Sequence, residues 1–155
     1  MAPGDRRHHR GLYKEVWEKR FMNSREKGKR GEIALSHILN AYGYETRRNQ
    51  QFSGANGDAD VVGLPGIHIE CKRVEKLNID KALQQSIRDC YADELRQGID
   101  LIPAVFHRSN DDRKKDSTKG VWKVTLRLKD FMEIYKEWEV HQIPFKGSED
   151  ENEKD

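Results

Sequence analysis

What the chain lacks narrows the field first. No apolar run approaches the roughly 20 residues of a membrane helix, so no helical span is expected. The basic start, Met1 to Arg10, leads into no apolar signal-peptide core, and the expectation is a soluble, intracellular protein in the cytoplasm. There are only two cysteines, Cys71 and Cys90, with no CxxC pair or Cys/His cluster. That argues against a zinc site or a disulfide framework and for two reduced core thiols. His8 and His9 stand in an Arg-rich end and read as a solvated pair. No internal repeat is visible. Hydrophobic residues make up 35% against 36% charged, which limits the core to one modest domain under a densely charged surface.

The charge itself is uneven. The net value is +2, yet residues 1–30 hold ten Lys/Arg against four Asp/Glu, and residues 147–155 hold five acids against one Lys. Residues 31–146 carry 18 of each sign. A basic arm of this kind suits phosphate contacts that release counterions, although a solvated terminus gives the same composition. The acidic tail GSEDENEKD has nothing apolar to bury and is expected to be disordered. The division expected is a basic arm over 1–23 with an accessory helix over 11–22, a domain over 24–140, and an acidic tail over 141–155.

Periodicity places the elements. A helix is expected from Ser24, as N-cap, to Tyr42, stopped by Gly43, with Ala34, Leu35, Ile38, Leu39 and Tyr42 in one stripe. Glu32 borders that buried stripe, an unusual place for a carboxylate. Strands are expected over 44–49, 60–64 and 67–73, the last two joined by the turn Pro65-Gly66 as an antiparallel hairpin. A second helix is expected over 79–97, ended by Gly98, then strands over 101–107 and 121–128 and a closing helix over 129–138. The polar loop between those strands carries Arg113, Lys114 and Lys115, which suit either DNA contact or plain solvent exposure. The whole is an α/β chain with a central mixed five-stranded sheet, in the order α-β-β-β-α-β-β-α.

Within the third strand, His68, Glu70 and Lys72 point one way and Ile67, Ile69 and Cys71 the other. Glu70-x-Lys72 alone is a weak signal in so charged a chain. Asp60 changes its weight, because a hairpin turning at Pro65-Gly66 can bring Asp60 beside Glu70. Two carboxylates that close raise each other's pKa unless a cation is present, and Mg²⁺ or Mn²⁺ prefers such oxygen ligands. Lys72 beside the ion can orient or help deprotonate a water, or offset charge on a phosphate. Glu32 could add a carboxylate for a second metal or a metal-bound water, and the Cys71 carbonyl a further oxygen.

Asp60 and Glu70-x-Lys72 on a hairpin, after a Glu-bearing helix, resemble the PD-(D/E)xK nuclease superfamily. The segment KGKRGEIALSHILNAYGYETRRNQQFSG resembles the opening of archaeal-type Holliday-junction resolvases. IPAVFHR followed by WKVTLRL is similar to small phage-type members. The resemblance spans about residues 27–128 and implies a restriction-endonuclease-like core. It implies Glu32 as the helix acid, Asp60, Glu70 and the Cys71 carbonyl as metal ligands, and Lys72 as catalytic. It further implies Ser53 as a hydroxyl near the scissile phosphate and Gln85 as a functional amide. Lys29, Arg30, Arg47, Arg48 and Arg73 would contact DNA. Ala59 stands where the family often has proline, so Asp58 rivals Asp60, and Gln84 rivals Gln85.

The function expected is a Mg²⁺-dependent endodeoxyribonuclease resolving four-way junctions of branched double-stranded DNA, as a homodimer and without a membrane, beside the nucleoid or in a phage-infected cell. A restriction-like or repair nuclease of the same fold is the alternative within the chemistry. A non-catalytic DNA-binding module is the alternative outside it.

Overall fold

The computed structural model describes residues 6–50, 57–109 and 121–142, with side chains from residue 23 onward. It divides into two compact units, Met1–Thr125 and Leu126–Asp155. The first unit holds the sheet.

Helix α1 runs unbroken over Arg6–Ala41. The expected accessory helix and the helix from Ser24 are therefore one, and Ser24 is an interior residue rather than a cap. Nothing in FMNSREK breaks a helix: it has neither proline nor glycine, so the backbone ladder continues. The end is as expected. Gly43, at φ +97, donates its N–H to the Asn40 carbonyl at 2.9 Å, and the Tyr44 N–H reaches the Leu39 carbonyl at 3.4 Å. This is a Schellman closure that requires a left-handed residue at Gly43.

Five strands follow the expected order: β1 Arg47–Arg48, β2 Val61–Val62, β3 Ile67–Arg73, β4 Ile102–Arg108 and β5 Lys123–Thr125. They lie side by side as β1-β2-β3-β4-β5, antiparallel except for the parallel pair β3–β4. A parallel pair needs a crossover, and α2, Ile79–Gln97, supplies it. Asn78 caps α2 by accepting the Lys81 N–H at 3.0 Å, and Gly98, at φ +68, closes it on the Glu94 carbonyl at 2.7 Å. The strands β1, β2 and β5 are shorter than their periodicity suggested, and β3 and α2 end where expected.

Alternation along β3 sorts the layers. Ile69 and Cys71 join Leu35 of α1 and Val61 of β2 in the buried core, with Leu39, Phe106 and Trp122 against it. Full burial of a side chain such as Leu35 or Ile69 contributes about 2–3 kcal/mol. The opposite side chains of β3 meet α2 instead: His68 bonds Asp93 and Lys72 bonds Gln85. Both faces of β3 are thus covered, as a parallel-paired central strand requires.

Helix α1 also fixes β1. Thr46 donates its hydroxyl to the Ser36 carbonyl at 2.9 Å and its N–H to Asn40 Oδ1 at 2.7 Å. In the second unit, α3 covers Leu128–Gln142, reaching into the stretch expected to be tail. Phe131, Tyr135 and Trp138 follow one another along it as tilted ring pairs, with centroids 6.0 and 5.5 Å apart. Among the described residues no helix is long and apolar enough to cross a membrane.

Candidate active site

Strand register brings the expected acids together. Val61 faces Ile69 across the β2–β3 pair, and one step further sets Asp60 against Glu70. The Asp60 N–H donates to the Ile69 carbonyl at 2.8 Å, and the Asp60 carboxylate accepts the Cys71 N–H at 2.8 Å. The side chain of Asp60 thus takes the ladder position that a longer β2 would have filled with backbone. In an extended strand a residue's N–H and carbonyl point to the same side. The Cys71 carbonyl therefore faces the Asp60 side of β3.

Glu70 is 2% exposed and pairs with Lys72 Nζ at 2.6 Å. Lys72 Nζ also lies 3.4 Å from Gln85 Oε1. Gln85, not the exposed Gln84, is the amide turned to the site. Glu32 comes from the α1 layer and accepts Arg48 Nε at 2.5 Å. That pair is possible because the Thr46–Ser36–Asn40 bonds seat β1 beneath α1.

Burial dominates the electrostatics. It lifts Asp60 to about 6, opposed by the Cys71 N–H and reinforced by the charge of Glu32. Burial and then the charge of Asp60 lift Glu70. Burial also raises Glu32, which Arg48 partly offsets and Glu70 reinforces. Burial alone would lower Lys72, but Glu70 and then Asp60 outweigh it and hold the ammonium charged. A charged Lys72 suits offsetting phosphate charge better than accepting a proton. The Cys71 thiol is pushed far up by burial and by the three carboxylates, which leaves its backbone carbonyl as the oxygen it offers.

Among the described residues no group of three or more Asp, Glu, His or Cys side chains is placed to hold a metal ion. A hard ion such as Mg²⁺ does not need one, since it keeps several waters and takes one or two carboxylates plus substrate oxygens. The donor set fits it: buried carboxylates whose mutual repulsion a divalent cation would relieve.

The remaining residues sort as follows. Asp58, the rival of Asp60, is ion-paired with Arg96 of α2. Ser53 and the loop bearing Arg113, Lys114 and Lys115 lie outside the described residues. Lys29, Arg30 and Arg47 are exposed, and Arg48 is engaged by Glu32. Arg73 is half-buried under Gly31, whose added Cβ would stand 2.9 Å from Arg73 Cβ. Sequence reasoning missed Asp89, whose charge reaches both Asp60 and Glu70. Its spacing of four from Gln85, one helical turn, was the available signal. A scan against protein-family models gives no match, and a search of curated proteins gives none.

Proposed function

We propose that the chain is a divalent-metal-dependent endodeoxyribonuclease with a restriction-endonuclease-like core of the PD-(D/E)xK kind, acting on four-way DNA junctions. The observation that carries the reading is the register of β2 against β3, which sets Asp60 beside Glu70 with Lys72 two residues on. Asp60, Glu70 and the Cys71 carbonyl would hold Mg²⁺ or Mn²⁺, with Glu32, paired with Arg48, reaching a second metal or a metal-bound water. Such an ion, when bound, supplies Lewis-acid polarisation of the phosphodiester.

The chain's own residues supply the rest. Lys72, kept charged by Glu70 and in reach of Gln85, offsets negative charge as the phosphate becomes five-coordinate. Arg48 holds Glu32 near the other acids. Exposed Lys29, Arg30 and Arg47, with Arg73, are the candidates for phosphate contacts, which position DNA without reading its sequence. Resolving a junction needs two opposed nicks, hence a twofold dimer.

The test is direct. The protein is incubated with a labelled four-way junction, a matching linear duplex and a single strand, in Mg²⁺ or in EDTA. Paired symmetric nicks on the junction, lost in EDTA, are expected. Preferential cutting of linear or single-stranded DNA would assign the site to a restriction-like or repair nuclease instead. Binding without cutting, even in Mn²⁺, would make the chain a non-catalytic DNA-binding module.

A further inference from the structure

Two residues before Asp60 stands Asp58, and two residues before Glu70 stands His68. Both are held by one turn of α2. Arg96 Nη1 pairs with Asp58, while Nη2 lies 3.0 Å from Asp93 Oδ1 and 3.5 Å from the Gly57 carbonyl. The other Asp93 oxygen, Oδ2, bonds His68 Nδ1 at 3.0 Å, and Gln97 Nε2 donates to Oδ1 at 2.6 Å. His68 and Asp93 are buried. Gly57 adds a second fastening. At φ +65 it presses on α2 so closely that a Cβ would stand 2.9 Å from Ala92 Cβ and 3.1 Å from the Asp89 carbonyl oxygen.

No member of this network is among the proposed metal donors, yet it grips both strands that carry them. The grip has a physical reason. Strand β2 is two residues long, and among the described residues Asp60, just before it, bonds only strand neighbours: the Ile69 carbonyl, the Asn49 N–H and the Cys71 N–H. Buried like charges push Asp60 and Glu70 apart. An exposed ion pair such as Arg96–Asp58 adds little stability by itself, so its effect is geometric.

We propose that Asp93 and Arg96 form a clamp that sets the spacing of Asp60 and Glu70, which makes Arg96 a positioning residue for the site. Its purpose rests on the nuclease reading, but the clamp is a statement about where Asp60 sits and is tested without cleavage. The Cys71 amide, bonded to the Asp60 carboxylate, is the local reporter.

In Arg96→Ala, hydrogen exchange at the Cys71 amide is expected to speed about 10-fold or more while β4 amides keep their rates. The dissociation constant for Mn²⁺, measured by the free-ion paramagnetic signal without DNA, is expected to rise about 10–100-fold, as for residues that orient metal ligands. Asp58→Asn should reproduce both effects and Arg96→Lys should recover part of each. Lys81→Ala, the same charge change on the exposed first turn of α2, should produce neither. Unchanged Cys71 exchange in both Arg96→Ala and Asp58→Asn overturns the clamp, as does a uniform acceleration of all amides. If the wild-type protein neither binds Mn²⁺ nor cuts DNA, the nuclease reading fails and the Cys71 amide still decides the clamp.

Discussion

The carboxylate of Asp60 closes on the backbone N–H of Cys71, the residue between Glu70 and Lys72. One hydrogen bond thereby ties the first acid to the strand that bears the second acid and the lysine.

Removing either acid should separate cutting from binding. Asp60→Asn and Glu70→Gln are expected to lower the single-turnover cleavage rate by on the order of 10²–10³-fold, with junction affinity within about twofold by gel shift. Asp58→Asn should retain some cleavage, since its effect is indirect. A dead Asp58→Asn beside a normal Asp60→Asn would reverse the assignment.

Stability should depend on pH through Asp60. Its folded pKa of about 6 lies above the reference 3.8. A raised carboxyl stabilises the fold while protonated, fully below about pH 4, and that contribution is lost as pH rises through 6. The loss is at most about 3 kcal/mol. Urea unfolding in EDTA should therefore find Asp60→Asn gaining on the wild type between pH 4.5 and 7. A difference constant with pH would contradict the burial described.

Divalent metal should act in the opposite sense at neutral pH. Mn²⁺ at about 100 times its dissociation constant adds roughly 2.7 kcal/mol to a fold that binds it at one site. The thermal midpoint should rise with Mn²⁺, return in EDTA, and barely move in Glu70→Gln.

Gly63 is a backbone test. Its φ is +104, and an added Cβ would stand 2.2 Å from the Glu45 carbonyl oxygen and 2.9 Å from Thr46 Cα. Both are main-chain atoms that cannot swing aside. Gly63→Ala should cost about 3 kcal/mol or more, read as a fall in the urea midpoint. Gly66→Ala, with nothing within 4 Å, should carry only the strain of its positive φ, about 1 kcal/mol.

Gln85 and Gln84 should separate cleanly. Gln85→Ala removes the amide beside Lys72 and is expected to lower the cleavage rate about 10-fold at unchanged DNA affinity. Gln84→Ala, on the exposed side of α2, should leave both.

Legibility in the sequence followed the range of the forces involved. Strand β3 and helix α2 were readable because alternation, Pro65-Gly66, Gly98 and the apolar stripe are local signals. The pairing of Asp60 with Glu70 was readable because a tight hairpin spans only ten residues. The break at Ser24 was misread because a good capping residue inside a helix looks the same as one at its start. The shortness of β2 was hidden, since periodicity cannot say that an Asp60 side chain replaces a backbone partner. Arg48 on Glu32, and Arg96 between Asp58 and Asp93, join residues far apart in sequence and carry no local pattern.

The continuity of α1 changes what its basic residues can do. Thirty-six residues at about 1.5 Å each make a rod of roughly 54 Å, about sixteen base pairs of duplex at about 3.4 Å per pair. Because Glu32 belongs to the same rod, the exposed Lys27, Lys29 and Arg30 just before it lie at a set distance and angle from the carboxylates of the candidate site. On the proposed nuclease reading, such a helix would act as a ruler rather than a tether. Adding one residue within it would swing everything upstream by about 100° around the axis, while adding seven would nearly restore the facing.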